Sequence, residues 1–187
     1  MISWIDKNYN HLAATYAKDK LSHALLISAP HGAGKSDLAK QLNQLILCES
    51  PNFHLSPLTA CGRCKQCLLL KSGTHPDLLT IDSDKKSIGV DEIRRVSGYL
   101  QKTAQIAQSK VVIVFGVEYL TEAAANAFLK TLEEPTSNSY IILTTSDVSK
   151  LLPTILSRCH NENIQLPTAN ELEHFSNTSF QINKFTN

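Results

Sequence analysis

The stretch Ala24-Leu25-Leu26-Ile27-Ser28, running into Ala29-Pro30-His31-Gly32-Ala33-Gly34-Lys35-Ser36, decides the fold. An apolar run of strand length opens into a glycine-rich turn, after which Leu38, Leu42, Leu45 and Ile46 recur at helical spacing. Strand, loop and helix in that order read as a phosphate-binding loop. Successive backbone N–H groups surround the phosphates, and glycines let the backbone approach without a Cβ clash. Gly32, Ala33, Gly34, Lys35 and Ser36 are the candidate nucleotide-binding residues. Lys35 would reach the β- and γ-phosphates, Ser36 would ligate magnesium, and the helix would add its positive end. Ala29 stands where the G-x-x-x-x-G-K-[ST] pattern begins with glycine, a mild departure. A plain strand-to-helix turn carrying a surface lysine is the alternative.

Outward from the loop, short apolar runs alternate with helix-period segments. Strands are expected at Ala24 to Ser28, Leu78 to Asp82, Val111 to Phe115, Tyr140 to Thr145 and Asn163 to Leu166. A helix should start near Val90, with Asp91 and Glu92 in its first turn, and Ala123 to Leu132 is dense in helix formers. This rhythm predicts an α/β fold, a parallel sheet with helices on both faces. Glu49 to Thr74, rich in Cys, Ser and Pro, reads as an irregular insertion. Thr168-Ala169-Asn170-Glu171 has the form of a capping box and should start a short helix in an otherwise poorly ordered tail.

The strand Val111-Val112-Ile113-Val114 ends in Phe115-Gly116, where a nucleotide hydrolase places acidic residues to hold magnesium and orient water. Glu118 is expected past the strand end and aimed elsewhere, as a solvated or helix-capping group. Asp82 ends a different strand, beside Asp84, and is expected to be a loop carboxylate. The chain should therefore grip phosphates without hydrolysing them efficiently, which argues against an autonomous NTPase.

Cys61-x-x-Cys64-x-x-Cys67 places three thiols in one tight turn, and Cys48 stands thirteen residues earlier. Four cysteines give zinc a closed tetrahedral shell, a structural rather than catalytic arrangement. A redox CxxC pair, or His54 or His75 replacing Cys48 as fourth ligand, are the alternatives. The 187 residues suit one well-buried domain, and 42% hydrophobic with 19% charged residues suits a soluble protein. A net charge of +1 gives no global reason to expect DNA or a membrane, so such contacts must be local. The N-terminus has no signal-peptide form, no run approaches membrane-spanning length, and clustered cysteines suit a reducing cytoplasm.

Phe128-Leu129-Lys130-Thr131-Leu132-Glu133-Glu134-Pro135 and Ser157-Arg158-Cys159 add a further signature. With the phosphate loop, the Thr74-His75-Pro76-Asp77 step, the Gly89-Val90-Asp91-Glu92-Ile93-Arg94 step and the four cysteines, all in order, the chain resembles the AAA+ clamp-loader family of bacterial DNA polymerase III. The resemblance implies an AAA+ domain over residues 1–166 with a zinc-binding insertion about residues 48–74. Residues 167–187 would be the start of a helical lid, truncated or poorly ordered. It implies a subunit that has lost hydrolysis, because the gamma/tau ATPase subunits carry acidic residues where Phe115 and Gly116 stand. Its expected partners are gamma/tau and delta subunits, the sliding clamp indirectly, and primer–template DNA, with Zn2+ and ATP or ADP as cofactors, no membrane, and a cytoplasmic location.

The family's Ser-Arg-Cys arginine enters the nucleotide site of a neighbouring subunit, and Arg158 holds that position. A guanidinium supplied across an interface raises phosphoryl-transfer rates roughly 10³–10⁵-fold. The sensor position falls near Thr145-Ser146, whose hydroxyls either bond phosphate or end a strand. Arg94 and Arg95, on the helix starting at Val90, are candidate DNA-phosphate contacts, with an exposed charged helix face as the alternative. Cys159 should pack against the sheet. The rival functions are an active clamp-loader ATPase using Glu118 or another carboxylate, and a P-loop nucleotide kinase with a zinc-bearing lid.

Overall fold

The computed structural model describes residues 3–52, 57–82, 86–134 and 136–166. The expected helix at Thr168–Glu171, the lid segment 167–187, His54 and Asp84 lie outside the described residues. The element order is α1 (Asp6–Tyr16), β1 (Ala24–Ser28), α2 (Lys35–Leu47), α3 (Lys65–Ser72), β2 (Leu78–Asp82), α4 (Val90–Leu100), β3 (Lys110–Phe115), α5 (Glu122–Glu133), β4 (Ser139–Thr145), α6 (Pro153–Leu156) and β5 (His160–Asn163). The five strands form one sheet in the order β2-β3-β4-β1-β5, and every pairing is parallel.

Side chains alternate between the two faces of a strand, so each strand feeds two cores. Leu25, Ile27, Val111, Ile113 and Ile142 pack with Leu12, Leu38, Leu42 and Leu45 beneath α1 and α2. Ala24, Leu26, Val112, Val114, Ile141 and Leu143 pack with Ile93, Val96 and Phe128 beneath α4 and α5. Double burial explains the near-continuous apolar runs of β1, β3 and β4. Cys159 lies in the second core, where burial pushes its thiol up to about 11.

Two expectations need correction, and one element had none. The last strand is His160–Asn163, three residues earlier than Asn163 to Leu166. It pairs only with β1 at the sheet edge, so its parallel register with Leu25–Ser28 sets its position and polar residues are tolerated. Ile164, buried, follows it and donates its N–H to the Ser28 carbonyl at 2.9 Å. The insertion is not wholly irregular, because it contains α3, capped by the Cys64 side chain and by left-handed Gly73. Helix α1 also went unforeseen. Tyr9, Leu12 and Ala13 alone form its buried stripe, and the Tyr9 hydroxyl donates to the insertion's Leu58 carbonyl at 2.9 Å.

Strand order places β1 between β4 and β5, so the chain leaves β1 for the far edge and returns past it after β4. A crevice opens at the carboxyl ends of strands where connections diverge in this way. The phosphate loop lies there.

Candidate functional site

Gly32 and Gly34 have φ of 79° and 88°, a left-handed backbone that side chains strain. Those two residues turn the chain from β1 into α2, whose first residue is Lys35. The loop is braced by its own neighbours. The Ala33 N–H and the Lys35 Nζ both donate to the Pro30 carbonyl at 3.3 Å, and the Trp4 indole N–H donates to the Ala33 carbonyl at 3.0 Å.

Lys35, Ser36 and Ser146 line a cleft of about 430 Å³ together with His31, Asp82, Phe115 and Glu118. The Ser146 hydroxyl lies 3.2 Å from His31 Nδ1 across the mouth of the loop. Gly32, Ala33 and Gly34 shape the loop, and Ala33 is itself buried. Phe115 ends β3 and Gly116 follows it at this cleft, where a hydrolase needs its metal-holding carboxylates.

Two carboxylates nevertheless reach the cleft, which corrects the expectation that Glu118 is aimed elsewhere. Asp82 ends β2 in register with Phe115. Gly116, with φ of 70°, starts a tight turn over Val117–Tyr119 that swings Glu118 back toward Lys35. Glu118 Oε1 accepts the Ser146 N–H at 3.0 Å, whereas Oε2 is buried with no hydrogen-bond partner. Burial lowers the Lys35 ammonium below its ordinary range, and the Glu118 charge partly restores it. The cleft thus presents Lys35 opposed by a negative group from its own chain.

The four sulfurs of Cys48, Cys61, Cys64 and Cys67 lie within 4.8 Å of one another and could hold a metal ion. Cys48 Sγ is 3.9 Å from Cys64 Sγ. Tetrahedral thiolates at a metal–sulfur distance of about 2.3 Å would stand about 3.8 Å apart, so the cluster fits with little movement. Backbone N–H groups of Cys61, Cys64 and Cys67 donate to the sulfurs of Cys48, Cys61 and Cys64 at 3.3, 3.3 and 3.5 Å. Backbone donors from Arg63 and Cys64 bring the Cys61 thiol down to about 6, while burial raises Cys48 and Cys67.

His75 takes no part in that cluster. It is buried, with Nε2 2.9 Å from Gln66 Oε1 and Nδ1 accepting the Asp77 N–H at 3.0 Å. Asp77, fully buried, accepts N–H groups from Gln105, Ile106 and Ala107 at 2.6, 2.8 and 2.8 Å. Gln66 also donates to the Ile106 carbonyl at 2.9 Å. The Thr74–Asp77 step therefore ties α3, and the cysteine turn before it, to the sheet.

Arg158 follows α6 and is held against Glu133 at the end of α5, its Nε donating to Oε1 at 2.6 Å. Its Nη1 donates to the Thr154 carbonyl at 2.9 Å, and about 30% of the side chain stays exposed. Arg94 and Arg95 are exposed on α4, with Arg94 paired to Asp91 at 3.1 Å one turn earlier. Glu92 accepts the Gly89 N–H at 3.1 Å and fills part of that helix's N-terminus. The arginines, the cleft and the cysteines occupy separate places on the fold.

The family described as "DNA polymerase III, delta subunit" matches residues 5–168. DNA polymerase III subunit delta' of Escherichia coli K12 is 40% identical over 158 residues, 83% of this chain and 46% of the relative. Subunit delta' of Haemophilus influenzae is 39% identical over 165 residues, 88% of this chain and 49% of the relative. The chain thus spans about half the length of the curated relatives it matches. A DNA polymerase III gamma subunit-related protein of Thermotoga maritima superposes with a TM-score of 0.58 at 26% identity, covering 84% of this chain and 47% of the other. The Holliday junction branch migration motor RuvB of the same organism gives 0.53 at 13% identity, over 91% and 47%, which is a likeness of fold alone. The fold is that of AAA+ proteins.

Proposed function

We propose a function from an established premise: the chain belongs to the DNA polymerase III delta-subunit family. It acts in the clamp loader of the replicative polymerase, helping to place the sliding clamp on primed DNA, with little or no ATP hydrolysis of its own. One observation carries this reading: β3 delivers Phe115 and Gly116, not carboxylates, to a cleft that otherwise keeps a phosphate loop. The subunit's chemical contribution goes to a neighbour. Arg158, braced by Glu133 and partly exposed, is offered in trans to the nucleotide of an adjacent gamma/tau ATPase subunit. There a planar guanidinium can neutralise charge that develops on the transferring phosphate.

ATP or ADP would lie along Lys35 and Ser36, with Ser146 near the terminal phosphate and Gly32 to Gly34 supplying N–H donors. Cys48, Cys61, Cys64 and Cys67 would hold Zn2+, a structural ion that makes one rigid unit of the turn before α3. Arg94 and Arg95 would meet primer–template DNA at its phosphates, without reading sequence. Delta subunits are the remaining partners. The setting is the cytoplasm, and among the described residues no helix is long and apolar enough to cross a membrane.

The position of Glu118 favours a second reading, slow hydrolysis in cis with Glu118 standing in for the missing pair. Two assays separate them. In the complete assembly, Arg158→Ala should sharply lower DNA-stimulated ATPase activity, and an unchanged rate would sink the trans role. With this chain alone, ATP turnover that disappears on Lys35→Ala would establish the second reading instead.

A further inference from the structure

We propose that His11, His160 and Glu162 form a second metal site, separate from the cysteines and selective for borderline divalent ions such as Ni2+, Co2+ and Zn2+. The three side chains come from two elements. His160 and Glu162, two residues apart on β5, point to the same face of the sheet edge, and His11 reaches them from α1. Their ligand atoms all lie within 4.8 Å of one another, and His160 Nε2 is 4.0 Å from Glu162 Oε2.

Glu162 is what turns proximity into a site. Its side chain is only 12% exposed, and among the described residues no lysine or arginine pairs with it. Asn8, three residues before His11 on the same face of α1, donates its amide to Glu162 Oε1 and to the Asn163 carbonyl. That bond fixes the carboxylate and leaves Oε2 facing the imidazoles, the outer-shell orientation that metal-binding carboxylates ordinarily have. Two imidazoles and one carboxylate form the donor set that suits zinc, nickel and cobalt, in contrast to the all-sulfur cluster. A tetrahedral ion with bonds of about 2.0–2.1 Å needs its ligands roughly 3.4 Å apart. Rotation of His11 and His160, both at the surface, closes that gap without moving the backbone.

Three protein ligands leave at least one position open to water or to a side chain from another molecule. Binding would also clamp α1 onto the edge strand. The residues leading into α1 include Trp4, whose indole holds the phosphate loop, so the ion would stiffen that bracing.

The test uses the protein with its four-cysteine cluster already loaded with zinc. Titration with Ni2+ by calorimetry should show one further equivalent, at least tenfold tighter than in a His11→Ala/His160→Ala double variant. Glu162→Gln, which keeps the Asn8 contact possible, should weaken binding as well and serves as the milder variant if the double one folds poorly. Added Co2+ should give nitrogen–oxygen visible bands without thiolate charge transfer. Equal Ni2+ isotherms for the parent and folded variants, or no further equivalent at all, would overturn the site and leave a histidine–carboxylate contact.

Discussion

Asp77→Asn is the most revealing single change to the scaffold. The carboxylate is fully buried and accepts three backbone N–H groups, from Gln105, Ile106 and Ala107. Burial opposes its ionisation, but those donors outweigh burial and hold the carboxyl below the ordinary aspartate range. An asparagine keeps the shape, offers one weaker acceptor and turns an amide N–H toward N–H donors. Hydrogen bonds to a charged group contribute about 1.5–3 kcal/mol each, and they are not additive, so a loss of about 3–4 kcal/mol overall is expected. In a domain of this size that lowers Tm by roughly 6–16 °C. The pH dependence gives a sharper signature. A depressed native pKa contributes stability that is complete above the unfolded value, about 4, and is lost as pH falls through the native one. The gap between parent and variant should thus be constant from pH 7 to 5 and shrink below about pH 4, by at most about 1.4 kcal/mol per pH unit. Urea unfolding at several pH values measures it. A gap that stays the same down to pH 3, or a variant as stable as the parent, would refute the reasoning.

Three further outcomes are expected. Removing metal with a chelator should raise amide exchange through Cys61–Cys67 and α3 while β1, β3 and β4 stay protected, and freshly purified protein without zinc would defeat the zinc assignment. Glu118→Gln should strengthen ATP binding to this chain by about tenfold, since it removes a negative group facing the phosphates at a cost of only one weaker acceptor for the Ser146 N–H. Equilibrium dialysis measures this, and weaker binding would instead favour a metal-holding role for Glu118. Arg158→Lys in the complete assembly should fall nearly as far in ATPase rate as Arg158→Ala, because an ammonium cannot reproduce the planar fork, while the isolated chain loses at most about 1 kcal/mol of stability from an exposed pair.

Much of this was legible in the sequence where burial leaves a periodic trace. β1 and β2 match their expected limits, and β3 and β4 each begin one residue earlier; β1, β3 and β4 are apolar on both faces, whereas β2 buries only Leu79 and Ile81 on one. The family resemblance, read from ordered motifs, agrees with the match over residues 5–168. β5 left no such trace, since an edge strand owes its place to backbone pairing with β1 rather than to side chains. α3 buries Gln66 and Cys67, not an apolar stripe, so helical periodicity could not reveal it; Cys64 before it and Gly73 after it were the signals to weigh. Glu118 was misjudged because its direction depends on a single left-handed glycine, Gly116, turning the backbone over three residues. A positive φ at that glycine is not written in the apolar pattern.

That turn also bears on how a phosphate loop can persist beside a strand without catalytic carboxylates. Its shape does not depend on phosphate alone. Pro30 receives the lysine and a backbone N–H, Ala33 receives the Trp4 indole, and Glu118 supplies a counter-charge for Lys35. Each contact satisfies a group that would otherwise be exposed or unpaired in the crevice. Residues that line the cleft and residues that hold the loop's shape therefore coincide. Gly34 with its left-handed backbone and Lys35 against Pro30 shape the entry into α2, so these residues hold the fold as well as line the cleft. The same economy holds at Arg158, where Glu133, at the end of α5, is the residue that braces the guanidinium.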